Sequence, residues 1–583
     1  MSRKLLPALA LGLSVLIVEP APAAKPLPPA DQWIPREAIV AFELSKPKAV
    51  LDLALDPDLV KTITSSPAYQ RQASKPDFQQ MLNLVKYLET KLRTDWQTAL
   101  HKLLDGGVTF AVGPNNATLL TVDAEDGRML QQTHDIFRDI AKGEAEKSGH
   151  PQRVASEEYR GVTGWTFNGK ETHAIVGKRL LVANNSEVLK AVADIRAKPG
   201  SRSLASSSRY QAAKKAVGTG SAGMAFVDIE TLKQHSPLKK ALAPAGNPLV
   251  VLLLAGLQEN LRESSWLGAG LDVQKNALAL RLAMDAKVKA SGPTSYTEPG
   301  RAGKGALPNL SVPRRIAAMS VYRDLHKFYS AKNELFPERT SGLIFFENMM
   351  GIFFSGRDLT DEVLAEVGPE IRVVVAEQAY DPSIGTPQVR FPAFAAVFRM
   401  DNPKKFGEVV EEAWQKAIGL VNFTRGQKAL PGLIIDRATH RDTKLTVAYF
   451  SATDEKDKKS LDVRFNLRPT LACFGDHLIL SSTDGLAKDV IDALSKEAAR
   501  PVKPMPGIHS LVELDSVRLA TTLGANRENL IRQNMLEGNT REQAETHVDI
   551  ILTVLEYLGQ ARLIVGTRNG RPSARLDLWP NLQ

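Results

Sequence analysis

Val176–Ile195 reads VGKRLLVANNSEVLKAVADI, and near the other end of the chain Phe474–Ala493 reads FGDHLILSSTDGLAKDVIDA. With Gly177 set on Gly475 the two align without gaps. Apolar positions then coincide: Leu180 on Leu478, Leu181 on Ile479, Val188 on Leu486 and Val192 on Val490. Each reads as a strand, a two-residue loop, a second strand and a helix. Gly at the first loop position supplies the positive φ of a type II′ hairpin turn. Ser186 and Asp484 then fall together as the expected helix N-caps.

Four further pairs follow in the same order. IPREAIVAFEL from Ile34 matches VPRRIAAMSVY from Val312, and DWQTALHKLLDGGVTFAV from Asp95 matches DLTDEVLAEVGPEIRVVV from Asp358. LLTVDAEDGRMLQQTHDIFRDI from Leu119 matches AVFRMDNPKKFGEVVEEAWQKA from Ala396, and MAFVDIETL from Met224 matches HSLVELDSV from His509. The offset drifts as loops lengthen, most of all at SATDEKDKKS, Ser451–Ser460. The reading is an internal duplication: copy 1 over 25–286, copy 2 over 313–583, and a Gly/Pro/Ser-rich linker over 287–312. Strands joined by tight turns, among them Asn569-Gly570, imply antiparallel pairing. The expected fold class is α+β, with two homologous domains, each a mostly antiparallel sheet carrying helices on one face.

The N-terminus sets Ser2-Arg3-Lys4 before an apolar run, Leu5–Val18, and an A-x-A-like stretch ending at Ala24. This reads as a signal peptide over 1–24, since a bilayer span needs about 20 residues. The protein is therefore expected to be exported, periplasmic or extracellular, with no transmembrane helix after removal of the leader. The apolar run Leu249–Leu257 is too short to span and is expected to form a buried helix. Net charge is +9; two positive charges and one negative leave with the leader. Cations and acids are interspersed and aromatic content is 6%, so no basic stripe speaks for nucleic acid. The lone Cys473 allows no intrachain disulfide.

Motifs for chemistry are sparse. GTGSAG, Gly218–Gly223, fits G-x-G-x-x-G but follows a helix and precedes a strand, the reverse of a dinucleotide loop. Cys473 aligns with Ile175 and reads as core filler. The ten histidines form no metal-binding spacing, and no polar segment is shared strictly by both copies. No catalytic residue, cofactor or metal is assigned. SGLIFFENMMGIFFSG, Ser341–Gly356, stands out. Its Phe345, Phe346, Met349, Met350, Phe353 and Phe354 are the candidates for an apolar ligand groove, because soft Met and large aromatic side chains suit such a ligand.

DGGVTFAVGP, LLTVDAEDGRMLQQ, YRGVTGWTF, HAIVGKRLLVANNSEVLKAVAD and SLASSSRYQAAKKAVGTGSAGMAFVDIETL, taken together, resemble an exported bacterial family called domain of unknown function 3352. The resemblance covers most of copy 1 and, more faintly, copy 2. It implies an exported duplicated domain and brings no catalytic residues. The function expected from the sequence is non-catalytic binding or scaffolding at the cell envelope. Its partner would be an envelope component or an apolar ligand. The alternatives are a carrier of an apolar or lipid-like ligand and a hydrolase with a dispersed active site.

Overall fold

The structure, a computed structural model, describes residues 27–581 apart from 66, 199, 201, 219, 235–246, 275, 290, 300–302, 337–340 and 452–460. The expected leader and almost all of the Ser451–Ser460 insertion lie outside the described residues.

Strands of the first half are β1 (Val40–Leu44), β2 (Gly107–Val112), β3 (Thr118–Asp123), β4 (Ala155–Tyr159), β5 (Val162–Thr166), β6 (Thr172–Val176), β7 (Arg179–Ala183), β8 (Gly223–Val227), β9 (Leu267–Gln274) and β10 (Ala277–Met284). Those of the second are β11 (Arg315–Tyr322), β12 (Val367–Ala376), β13 (Ala393–Met400), β14 (Leu433–His440), β15 (Thr443–Phe450), β16 (Thr470–Phe474), β17 (His477–Ser481), β18 (Ile508–Asp515), β19 (Gln560–Arg568) and β20 (Arg571–Trp579). All pairings of these strands are antiparallel. The first half is ordered β4-β5-β6-β7-β3-β2-β1-β8-β9-β10. The second is ordered β14-β15-β16-β17-β13-β12-β11-β18-β19-β20. Strand for strand, the two orders are the same.

Local details repeat as well. Gly177 and Gly475 open the β6–β7 and β16–β17 turns with φ of 63° and 58°. The helix caps sit one residue before the expected ones: Asn185 accepts from Val188 N and Thr483 from Leu486 N. Extended backbone at Asn185 and Thr483 aims each side chain back at the first turn, and Ser186 and Asp484 are already helical. A shared polar corner escaped the sequence alignment. Arg160-Gly161 and Arg441-Asp442 form turns with positive φ at both positions. Tyr159 donates to Asp194 at 3.1 Å, as His440 pairs with Asp492 at 2.8 Å. Arg160 and Arg441 each pair with the same aspartate.

The two sheets are not separate. β10 pairs with β20 from Leu278↔Leu578 to Ala283↔Ser573, which makes one 20-stranded sheet. Each half would otherwise end in an unpaired edge strand, open to stray pairing. The seam sets Arg281 opposite Arg575, like charges that repel across a ladder. Asp272 and Asp577 neutralise them at 2.8 Å each.

Helices cover both faces, not one as expected. In β17, Leu478 and Leu480 pack with Phe406 and Val410 of the helix Pro403–Gly426. Ile479 between them packs with Leu486 and Val490 of the helix Asp484–Ala499. In β6, Ala174 joins Leu189 and Val192, while His173 meets His134 of the helix Gly127–Lys147, Nε2 to Nε2 at 3.0 Å. Runs such as Leu478-Ile479-Leu480 have no polar side to give to solvent, which is the mark of a strand buried on both faces.

Neither is the stretch 287–312 a free tether. Tyr296 and Leu310 are fully buried in it, and Ala306 exchanges backbone hydrogen bonds with Met505 and Ile508. At Gly305 a Cβ would lie 2.0 Å from Met505 O, so only glycine admits this approach. Two helices cross between the halves. The helix Pro248–Glu263, between β8 and β9, sets Val251 and Ala255 against Phe328, Leu335, Phe336 and Leu343 of the second half. Its counterpart Arg541–Leu558, between β18 and β19, binds Arg71 of the first half through Asp549 at 2.7 Å. Arg323, 2% exposed, clamps the first crossing. It donates to Leu252 O at 2.9 Å, Leu253 O at 3.2 Å, Tyr322 O at 2.7 Å, His509 O at 3.2 Å and Ser510 Oγ at 3.0 Å. Tyr296 donates to Val251 O at 2.6 Å.

Arg323→Met should leave several of these oxygens without donors and cost about 2–4 kcal/mol, seen as a lower thermal unfolding midpoint. Acid should weaken the fold through two buried histidines. Burial, reinforced by His134, lowers His173 to about 4. Burial, reinforced by Arg323, lowers His509 to about 3. The unfolded chain takes up these protons near pH 6.5, the folded protein only at the lower values. Their contribution to stability is thus complete above about pH 6.5 and lost as pH falls through 4 towards 3. Unfolding midpoints recorded across that interval should fall with pH, and His173→Gln should flatten the upper part of the slope.

Candidate functional site: an apolar cavity where the halves meet

The segment singled out by its Phe and Met content forms the helix Ser341–Phe353. Helical spacing sorts its apolar residues into stripes. Leu343, Phe346 and Met350, continued by Phe354 just beyond the helix, face a cavity of about 860 Å³. Of the six candidates, Phe346, Met350 and Phe354 line this cavity. Phe345 is 66% exposed on the outer side, and Met349 and Phe353 are half-buried outside the lining. A thirteen-residue helix presents several faces, and composition alone does not assign residues among them. The single charge of the helix, Glu347, accepts from Tyr329 Oη at 2.6 Å and Lys332 Nζ at 3.2 Å.

The remaining walls come from far along the chain. Asn247 caps the helix Pro248–Glu263, accepting from Leu249 N and Val250 N, and Leu249 and Leu252 line one side. Leu325, Phe328, Tyr329 and Phe336 lie beside it, and Leu359, Val363 and Leu364 close the far end. Val367, Phe398, Leu478 and Leu480 form a floor from β12, β13 and β17, with Phe406 and Val410 above them. Among the described residues of this lining, only Asn247 and Tyr329 bring polar side-chain atoms. The arrangement can exclude water from an apolar ligand, and among the described residues its lining holds no acid, base or nucleophile.

The run Leu249–Leu257 was legible as apolar, yet its helix is not buried as expected. Leu249 is 63% exposed, and Val250, Leu254 and Leu257 also face outward. Only one side, Val251 and Ala255, finds a core, because the helix lies across a junction instead of inside a domain.

Other polar groups are held by their surroundings. Cys473 lies beneath the helix Pro403–Gly426, where burial and then the nearby Glu411 charge push its thiol up. That is the opposite of an activated nucleophile. Tyr210 donates to Asp31 at 3.3 Å and Glu43 at 3.1 Å, and Lys214 donates to the same carboxylates at 2.8 and 3.4 Å. Burial and then the Glu43 and Asp31 charges push the Tyr210 phenol up, so it stays a hydrogen-bond donor. A second cleft, about 350 Å³, lies between β4–β6 and the helix Ser186–Ala197 and includes Tyr159, Trp165, Lys170 and Lys190. Gly218–Gly223 runs from a helix into β8, the order expected of a structural turn. Among the described residues, no group of three or more His, Cys, Asp or Glu side chains could hold a metal ion. No described helix is long and apolar enough to cross a membrane.

No curated protein matches the chain. Solved structures of TP0453 show a partial likeness. Crystal form III gives a TM-score of 0.22 at 12% identity over 44% of this chain and 81% of that chain. Form IV gives 0.23 at 12% over 43% and 79%, and form I gives 0.22 at 14% over 44% and 80%. A family model described as "Protein of unknown function (DUF3352)" matches residues 138–303. The match takes in β4 to β10 and the helix Pro248–Glu263, starts after the DGGVTFAVGP and LLTVDAEDGRMLQQ segments, and ends before copy 2. Over residues 138–303, then, the chain is similar to the DUF3352 family of proteins of unknown function.

Proposed function

We propose that this is an exported, non-catalytic binding protein of the cell envelope, built from two copies of one module over 25–286 and 313–583, and that its ligand is apolar or lipid-like. The observation that carries the ligand class is the 860 Å³ cavity, whose described lining has two polar side chains. Small-molecule sites span about 300–1,000 Å³ and are mostly apolar. This space is wide enough for a long acyl chain or a fused-ring lipid. Burying such a ligand gains about 25 cal/mol for each Å² of apolar surface removed from water. The common origin of the halves is supported by their shared strand order and by the Arg–Asp corner repeated at Asp194 and Asp492. Export is supported by the basic, then apolar, then small-residue pattern of 1–24.

The purified protein should brighten N-phenylnaphthylamine, an apolar fluorescent probe, and long-chain fatty acid should displace it. Met350→Asp places a charge in the lining and should weaken probe binding by about tenfold or more. Phe345→Asp, on the outer stripe, should leave it unchanged. A probe that stays dark with the wild type, together with an organic extract free of lipid by mass spectrometry, would reject the carrier reading.

A further inference from the structure

Two of the helices that wall the cavity carry a further apolar stripe that, among the described residues, touches neither the cavity nor a core. On Pro248–Glu263 it is Val250, Leu254 and Leu257; on Ser341–Phe353 it is Ile344, Phe345 and Ile352. Phe345 and Ile352 are 66% and 62% exposed. Both helices reach one core cluster, which includes Val251 and Leu343. Single exposed apolar residues are ordinary, but grouped ones mark a contact surface.

We infer that this double stripe is a docking face for a lipid bilayer, through which the cavity is filled and emptied; the inference rests on the carrier reading above. Four features favour a bilayer over a second copy of the chain. Leu249 and Phe346 belong both to the cavity lining and to the exposed rim, so the cavity opens onto this face. A second copy seated there would cover the opening, whereas a bilayer is itself the source of a ligand that scarcely dissolves in water. Seating Ser341–Phe353 against a bilayer desolvates no unpaired charge, because Glu347 is held by Lys332 and Tyr329. At thirteen residues this helix is about 20 Å long, too short to span and suited to lying in the interface. The net charge of +9 falls only by one with the leader and adds attraction to anionic headgroups.

The test is flotation of the protein, as the cell processes it, with vesicles of equal parts phosphatidylcholine and phosphatidylglycerol. The wild type should rise with the vesicles. Phe345→Glu/Ile352→Glu shares its N-terminus and should rise about tenfold less while still binding N-phenylnaphthylamine. Met350→Asp should lose the probe and still float. Flotation of a wild type that never takes up probe would sink the cavity reading and leave the docking face standing. The docking inference is overturned if the wild type stays at the bottom, or if the double variant floats equally well. It is also overturned if sedimentation equilibrium finds a wild-type dimer that the double variant dissolves while neither binds vesicles.

Discussion

Arg323 holds the structure at its critical point. Its guanidinium, sealed from solvent, spends its donors on two backbone carbonyls inside the helix Pro248–Glu263 and on three oxygens of the second half. Burial lowers its pKa to about 10, with Tyr296 and Glu298 acting in the opposite sense, so it remains a cation at neutral pH. A buried cation surrounded by neutral oxygens is costly to separate from them, because any one left behind is an unsatisfied polar group. The crossing helix is thereby fixed in position as well as packed, and one wall of the cavity is fixed with it.

The sheet works on a different principle. Its ten-strand halves would each present an open edge at β10 and β20, and pairing these edges removes both at once. Crossing helices then bridge the seam in each direction, Pro248–Glu263 one way and Arg541–Leu558 the other. The first of these packs on a core of the second half, while the other keeps its core with Ile531 of its own half and reaches across through Asp549. The segment 287–312, which looked like a spacer by composition, buries Tyr296 and Leu310 and threads Gly305 against the backbone at Met505.

The two halves share a scaffold and differ in what covers it. The face of Phe398 and Leu478 is covered by the helix Pro403–Gly426 and keeps a cavity beside it, while in the first half the helix Gly127–Lys147 sets His134 over His173. One framework thus supports an apolar recess where the halves meet and an aromatic cluster with two histidines in the first half. The chemistry of the site lies in its covering helices; the strand order beneath them is common to both ends.

Local signals carried much of this in the sequence alone. Gly177 and Gly475 announce tight turns because a positive φ is cheap only for glycine. Alternation and capping residues place most strands and helices, and the density of Phe and Met in Ser341–Gly356 marks the segment that walls the cavity. The error in faces had a readable cause: Leu478-Ile479-Leu480 is apolar on both sides, a sign that helices lie above and below. What the sequence could not express is the crossing of helices over the seam. Leu252, Phe328, Phe398 and Leu478 meet only in three dimensions, through contacts between residues hundreds of positions apart. Whether an apolar residue faces core, cavity or solvent is set by which neighbour arrives there, and Phe345 and Phe346, adjacent in the chain, end on different surfaces for that reason.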